Sequence, residues 1–479
     1  MFEDKVRKDI PLCVDLDGTL LKTDLLYESV IYLLKKNFFY IFLLPVWILK
    51  GRYFLKFKLL EYVSPTISSM PFNDDVIEFV KSEREKGRKI VLVTASAQPL
   101  ADKAADFTGL FDEVLASKDG TNLLGSEKAK LLKEKYGYKK FDYIGDSPKD
   151  LQVWENSDIA HIVSTDKSLI AAVNKTTKTG RIFQHKVNKL KVIIKQIRVH
   201  QWIKNLLIFL PPLLAHKIII GDYISAIWAF FAFSFIASGI YVINDLADIE
   251  SDRNHSGKKN RPAASGQISI LACIKLIPLL LIAGFVISLL TLDMEFTLIL
   301  LAYMIITIMY SFKLKKIYLL DMITLSMLYS IRLISGGIAS DTILSPWLFS
   351  FSLFIFLSMG AMKRYTELLV LSVDNKTKTR GRDYYVEDIP LITTIGISAG
   401  IVSTLIFTLY IDNPDVMVLY NTPFYLYFIT PVVLYWILRM WFITHRGLMN
   451  DDPIVFALKD KVSYIVAVII FVIAYGATL

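Results

Sequence analysis

The stretch NDLADIESD, residues 244–252, decides how the rest of the chain is read. It follows an apolar run at 222–243 that is long enough to cross a bilayer, and it sets Asn244, Asp248 and Asp252 four residues apart. On a helix that spacing puts the three side chains on one face, rising about 6 Å per step. Acids beside a membrane helix are costly unless a cation or partner neutralises them. The pattern therefore predicts a face that coordinates a divalent cation.

Working outward, the 479 residues exceed one ordinary domain, and a 54% hydrophobic fraction is too apolar for a wholly soluble chain. Mean hydropathy is +0.46. The composition changes near residue 200, with frequent charges and short apolar runs before it and long apolar blocks after it. These blocks centre on 202–220, 222–243, 268–290, 295–312, 317–339, 343–361, 388–410, 423–441 and 463–479, which predicts nine transmembrane helices.

With the N-terminal part in the cytosol, the loops on its side (244–267, 312–318, 362–388 and 439–462) hold 17 Lys or Arg, and the opposite loops hold only Lys217. Such asymmetry predicts a multi-pass protein of a bacterial-type inner membrane, with the soluble head and polar loops cytosolic and the C-terminus outside. The formal charge of +9 is then explained by topology, and no nucleic acid is expected as a partner. Cys13 and Cys273 are the only cysteines and lie in unrelated segments, which excludes a disulfide framework or a CxxC site. The N-terminus has no continuous apolar core of the kind a signal peptide needs.

A head is expected over residues 1–175, a basic linker over 176–201 and the membrane domain over 202–479. From 181 to 204 the chain carries seven Lys or Arg and no acid, interleaved with Ile, Val and Leu. That composition suits either a helix lying on an anionic leaflet or a solvated connector.

In the head, an apolar strand at 10–14 ends in DLDGTL (15–20), followed by KIVLVTAS (89–96), SEKAKLL (126–132) and FDYIGDSPKD (141–150). Polar residues at the C-terminal edges of such strands are where an open parallel sheet places its ligand crevice. The set, in this order, resembles the haloacid dehalogenase (HAD) superfamily of phosphohydrolases and implies a Rossmann-like α/β head. The resemblance makes Asp15 the nucleophile and Asp17 the general acid and base. Thr94 and Lys128 would hold phosphoryl oxygens, with Lys130 a rival for the lysine role. A Mg²⁺ site would use Asp15, Asp17 and Asp146, supported by Asp150. The presence of Asp17 points to a phosphatase.

A helical cap is expected at about 22–88. Within it, FFYIFLLPVWILKG (38–51) is apolar from Phe38 to Leu49, flanked by Lys35, Lys36, Lys50 and Arg52, and interrupted by Pro45. It is too short to span, and suits either a segment dipping into the membrane interface or the cap's own core.

In the membrane body, NDxxDxxxD is followed by Lys258, Lys259, Arg261, Pro262 and Gly266. This resembles the UbiA superfamily of intramembrane transferases. The resemblance implies Mg²⁺ held by Asn244, Asp245, Asp248 and Asp252, with Asp248 and Asp252 central to catalysis and Lys258 and Arg261 on phosphate. Prenyltransferases of quinone or haem pathways usually add a second DxxxD cluster. Here YSFKLKKIYLLD (310–321) offers Tyr310, Lys315 and Asp321, so one carboxylate stands for two. That departure, with RVHQWIKN (198–205), SIRLISGGIA (330–339) and KRYTEL (363–368), looks like the decaprenyl-phosphate phosphoribosyltransferase branch.

The resemblance assigns Lys204, Asn205, Arg332, Lys363 and Arg364 to substrate and Asp321 to the metal. It implies transfer of 5-phosphoribose from phosphoribosyl diphosphate to a polyprenyl phosphate, with the head removing the 5-phosphate, a step that would serve cell-wall biosynthesis. Mg²⁺ is expected in both sites, membrane lipids as surroundings, and homo-oligomerisation is compatible with the chain. Two rivals stand beside it: a prenyltransferase acting on an aromatic acceptor with an accessory phosphatase head, and a head that is only a regulatory or scaffolding module. DDPIVFALKD (451–460) has no assigned role.

Overall fold

The computed structural model describes residues 7–118, 121–184, 188–217, 219–373, 377–379, 381–449 and 452–479. Residues 185–187 of the basic stretch and Asp451 lie outside it. Its contacts form two compact units, Met1–Ile197 with Tyr241–Ile277, and Arg198–Ile240 with Pro278–Leu479.

The first unit is built on six strands: β1 (Leu12–Val14), β2 (Ile90–Ala97), β3 (Glu113–Ser117), β4 (Asp142–Gly145), β5 (Ile159–Val163) and β6 (Lys178–Phe183). They pair in parallel in the order β3-β2-β1-β4-β5-β6. A parallel sheet covered on both faces reads as continuous apolar runs, and successive side chains go to opposite layers. Leu12, Val14, Ile90, Leu92 and Ile144 pack with Val76, Leu100 and Ala104 in one layer. Cys13, Val91, Val93 and Tyr143 pack with Leu132, Trp154 and Ile162 in the other. The sheet runs past the expected head boundary at 175, because KTGRIF forms the edge strand β6.

Between β1 and β2 the chain forms the cap, with helices Leu25–Lys36, Leu44–Leu49 and Arg52–Tyr62 and a 3₁₀ turn at Phe38–Phe42. Leu33, Leu44, Trp47, Leu55 and Leu59 make its core. Phe39, Phe42 and Leu49 project into the open, 73%, 71% and 87% exposed, so the apolar stretch both fills the cap and leaves a ridge outside it. Helix Asp74–Glu85 returns to the sheet, burying Val76 and Val80. Beyond the sheet, linker residues Lys189–Gln196 form one short helix.

Among the described residues eight helices are long and apolar enough to cross a membrane: Ile220–Ala247, Ile270–Thr291, Met294–Lys316, Leu320–Ala339, Pro346–Val373, Val386–Ile411, Pro423–His445 and Lys461–Thr478. The block expected at 202–220 is different. It winds as a 3₁₀ helix, Val199–Phe209, and then one short α-helix, Leu210–Leu214. Pro211 and Pro212 lack the N–H groups an α-helix needs, so they sit in the first turn of the short helix. The tighter 3₁₀ rise of about 2.0 Å per residue still gives the two pieces together about 30 Å. In the second unit Trp441, Met440, Ile437, Met362 and Ile392 form the main core, and Trp441 Nε1 donates to Ser358 Oγ at 3.0 Å.

Candidate active sites

The head's site stands at the C-terminal edge of β1, β2 and β4. Asp15 follows β1 directly, and its backbone N–H donates to Ile144 O of β4 at 3.0 Å. Leu16 N and Lys128 Nζ both donate to Asp15 Oδ1, at 2.9 and 3.0 Å. Lys128 is 3% exposed and also donates to Tyr143 Oη at 2.8 Å, which passes a hydrogen to Asp150 Oδ1 at 2.9 Å. Lys130, the rival lysine, faces out of the same helix and is exposed.

Asp17 turns the other way. Its Oδ2 accepts from Ser96 Oγ at 2.6 Å and Thr94 Oγ1 at 3.5 Å, and its Oδ1 accepts from Leu25 N at 2.8 Å, at the start of the first cap helix. Gly18, at φ +77°, lets Asp146 approach the motif loop, since a Cβ there would lie 2.3 Å from Asp146 Oδ2.

Asp15, Asp146 and Asp150 bring carboxylate oxygens within 4.8 Å of one another, the only such group among the described residues. Burial pushes Asp15 up to about 7 even with Lys128 pulling it down, and lifts Asp17 to about 6. Asp146 is driven well above the usual carboxylate range by burial and by Asp15 and Asp150. Three crowded acids with one lysine are under-neutralised, and an oxygen donor set of this kind fits Mg²⁺. Asp17 contributes to the site through Ser96 and Leu25 N rather than through that trio.

In the same unit the acidic stretch of the membrane body ends helix Ile220–Ala247. Asp248 N donates to Asn244 O at 2.9 Å and Asp252 N to Asp248 O at 2.8 Å, so four-residue hydrogen bonds link the three residues, although the helix breaks at Asp248 and a short one, Ile249–Arg253, follows. Asp245 and Asp252 are buried, whereas Asn244 and Asp248 are half-buried. Arg261 Nη1 lies between the two buried acids, 3.1 Å from Asp245 Oδ1 and 2.5 Å from Asp252 Oδ2. It supplies the positive charge that these two buried acids require. Burial raises Asp252, and Arg261 lowers it. Gln196 donates to Asp245 Oδ2 at 3.2 Å and accepts from Ala263 N at 3.1 Å, a role its sequence position did not advertise. Lys258 is exposed.

In the second unit, Asp321 is fully buried and held by Arg364, at 2.5 Å from Nε to Oδ2 and 3.2 Å from Nη2 to Oδ1. Tyr310 Oη donates to Asp321 Oδ1 at 2.9 Å. Arg364 and Arg382 also reach Glu367, at 2.7 and 3.2 Å. Asp321, expected at a metal, is thus occupied by a guanidinium. Lys315 sits on the turn Leu314–Lys316, half-buried.

The bundle gathers a second cluster. Arg332 Nε donates to Asn205 Oδ1 at 2.8 Å, and its guanidinium stacks 5.4 Å from the Tyr329 ring. Lys204 and Lys363 converge on Asp452 Oδ2 at 2.9 and 3.0 Å. The paired lysines hold the Asp452 carboxyl far below its usual range despite burial. This gives a function in the fold to the stretch that had none.

The UbiA prenyltransferase family matches residues 209–459, and haloacid dehalogenase-like hydrolase matches residues 12–155. The chain is 34% identical to an uncharacterized protein of Sinorhizobium fredii, over 97% of its own length and 90% of that protein's. It is 33% identical to nodulation protein NoeC of Azorhizobium caulinodans, over 56% of this chain and 87% of the relative. It is 32% identical to a decaprenyl-phosphate phosphoribosyltransferase of Mycolicibacterium smegmatis, over 57% of this chain and 88% of the relative. The chain therefore belongs to the UbiA prenyltransferase family and carries a haloacid dehalogenase-like hydrolase domain ahead of its membrane body.

Proposed function

We propose that the chain is a bifunctional membrane enzyme that transfers 5-phosphoribose from phosphoribosyl diphosphate to a polyprenyl phosphate and then removes the 5-phosphate. The observation that carries the reading is the cation inventory of the bundle. Lys204, Arg332, Lys363 and Arg364 gather there around Asn205, Tyr310 and the single carboxylates Asp321 and Asp452. Such a surplus suits substrates rich in phosphate better than a prenyl diphosphate with a neutral ring. The likeness to the Mycolicibacterium transferase supports the same donor.

In transfer, Asn244, Asp245, Asp248 and Asp252 would hold Mg²⁺, which when bound neutralises the leaving pyrophosphate. The C1–oxygen bond of the donor breaks as ribose gains oxocarbenium character. An oxygen of the lipid phosphate, steered by lysine and arginine, bonds to C1. No general base is needed, because that phosphate is already ionised.

In trimming, Lys128 and Leu16 N hold Asp15 Oδ1, leaving the second oxygen to attack the 5-phosphate phosphorus. Asp17 protonates the departing ribose oxygen and then deprotonates the water that releases inorganic phosphate. Asp15, Asp146 and Asp150 would hold the Mg²⁺ of this site.

The exposed ridge of Phe39, Phe42 and Leu49, flanked by basic residues, supports a cap that rests on the bilayer and receives a lipid-borne substrate. Both native cysteines are buried, so a single Phe42→Cys reports cleanly. Slow labelling by a water-soluble maleimide is expected, and labelling as fast as at a solvated site would remove the membrane contact.

The donor is tested by incubating membranes holding the full chain with labelled phosphoribosyl diphosphate and polyprenyl phosphate. Label should enter the lipid fraction. Label entering only when a prenyl diphosphate and an aromatic acceptor are supplied would instead assign an aromatic prenyltransferase.

A further inference from the structure

The head and the acidic stretch are joined by a buried ion pair that neither reaction uses. Glu28, on the first cap helix, is fully buried and grips Arg253, which immediately follows Asp252. Arg253 Nη2 lies 2.5 Å from Glu28 Oε1 and Nη1 3.2 Å from Oε2, while Nε donates to Ala264 O at 3.1 Å. Each guanidinium nitrogen thus donates one hydrogen to the protein, which fixes the plane and position of Arg253. Thr23 Oγ1 donates to Glu28 Oε1 at 2.6 Å, fixing the carboxylate from the motif side.

The contact extends in both directions. Gly266, at φ +73°, lies against Lys22, and a Cβ there would fall 2.6 Å from Lys22 Cβ and 2.8 Å from Lys22 O. Glu250 accepts from Thr66 Oγ1 at 2.9 Å and pairs with Lys35 at 3.4 Å. The cap helix that carries Glu28 begins at Leu25, whose N–H is held by Asp17. One rigid path therefore leads from the phosphatase acid and base, through Leu25, Glu28 and Arg253, to Asp252.

A buried ion pair is a poor stability device, because desolvating two charges offsets most of their attraction, and apolar residues would do as well. Its advantage is registry, since a misplaced partner leaves a bare charge in the interior. We infer that Glu28 and Arg253 are positioning residues. Through them the head fixes the 252–266 loop in the conformation that receives a diphosphate, so transfer depends on the head's presence independently of its hydrolysis. The inference rests on the transfer reaction proposed above.

The test uses the full chain in proteoliposomes, with two rates measured: label transfer from phosphoribosyl diphosphate, and hydrolysis of p-nitrophenyl phosphate. Glu28→Gln and Gly266→Ala should each lower transfer kcat about tenfold or more, as small displacements of a bound diphosphate do, with aryl phosphate hydrolysis kept within about twofold. Glu28→Arg combined with Arg253→Glu should recover most of the transfer. Transfer within about twofold of wild type, or a parallel fall of both rates unrescued by the swap, would overturn the inference. If the wild-type chain transfers nothing from phosphoribosyl diphosphate, the donor assignment fails separately. The positioning claim is then read from magnesium-dependent hydrogen-exchange protection of residues 253–266, which Glu28→Gln must lose and whose retention refutes it.

Discussion

The head and the membrane body handle clustered acids in opposite ways. In the head, Asp15, Asp146 and Asp150 crowd together with Lys128 as their one close cation among the described residues, and burial drives Asp15 and Asp146 toward protonation. In the body, among the described residues, the buried Asp245 and Asp252 share Arg261, the buried Asp321 has Arg364, and the half-buried Asp452 has Lys204 and Lys363. The first arrangement waits for a cation. On the proposed transfer reaction the second would exchange partners, an incoming phosphate taking an arginine or lysine as a metal takes the carboxylate. Water can supply charge compensation around a soluble site, whereas a site at the end of membrane helices has to carry its own.

The largest expected effect breaks the exchange. Asp252→Asn should lower transfer about a thousandfold by weakening the neutralisation of the leaving group, and should leave aryl phosphate hydrolysis intact. Both are read in the same proteoliposomes. A fall of less than about tenfold would mean that Arg261, not a metal, does the neutralising.

Next in size is the head's response to its cation. Mg²⁺ at a hundred times its dissociation constant should stabilise the head by about 2.7 kcal/mol. The gain should appear in thermal melts with and without chelator and vanish in Asp146→Asn. An unchanged melt would remove the contrast between the two regions.

In the body, Asp452→Asn should cost about 1–3 kcal/mol, because it leaves Lys204 and Lys363 facing each other without their shared carboxylate. Melting of the detergent-solubilised chain checks this, and added pyrophosphate should recover part of the loss.

The smallest effect separates the head's scaffold from its site. His161 on β5 accepts from Arg181 N of β6 at 2.9 Å, and burial pushes its pKa down to about 4. A group depressed in the folded state contributes stability above its unfolded value of about 6.5 and loses it as the pH falls toward 4. Melts from pH 7 to 5 should show a loss on the order of 1–2 kcal/mol that is absent in His161→Asn.

Much of this was legible in the chain because it is local. Asp15 and Asp146 each directly follow an apolar strand and Thr94 closes the apolar run of β2, and parallel pairing of β2, β1 and β4 brings these positions together. Lys128 could not be told from Lys130 by spacing, since only the helix's rotation buries one and exposes the other. The four-residue repeat of Asn244, Asp248 and Asp252 likewise needs no tertiary information.

What could not be read is pairing across distance. Nothing local in the sequence says that Arg261 faces Asp245 and Asp252 or that Arg364 faces Asp321. Glu28 and Arg253 lie 225 positions apart and carry no joint motif. KTGRIF, charged and mostly exposed, has no apolar run to announce an edge strand, and the apolar block at 202–220 does not announce that it winds as a 3₁₀ helix followed by one short α-helix.

The division of labour between the two regions is tested most directly by mass spectrometry of the lipid made from phosphoribosyl diphosphate and polyprenyl phosphate, with Asp15 intact or changed to Asn. The intact chain should yield polyprenyl-phosphoryl ribose, and Asp15→Asn should yield the same lipid one phosphate heavier. Identical products from the two chains would contradict the account.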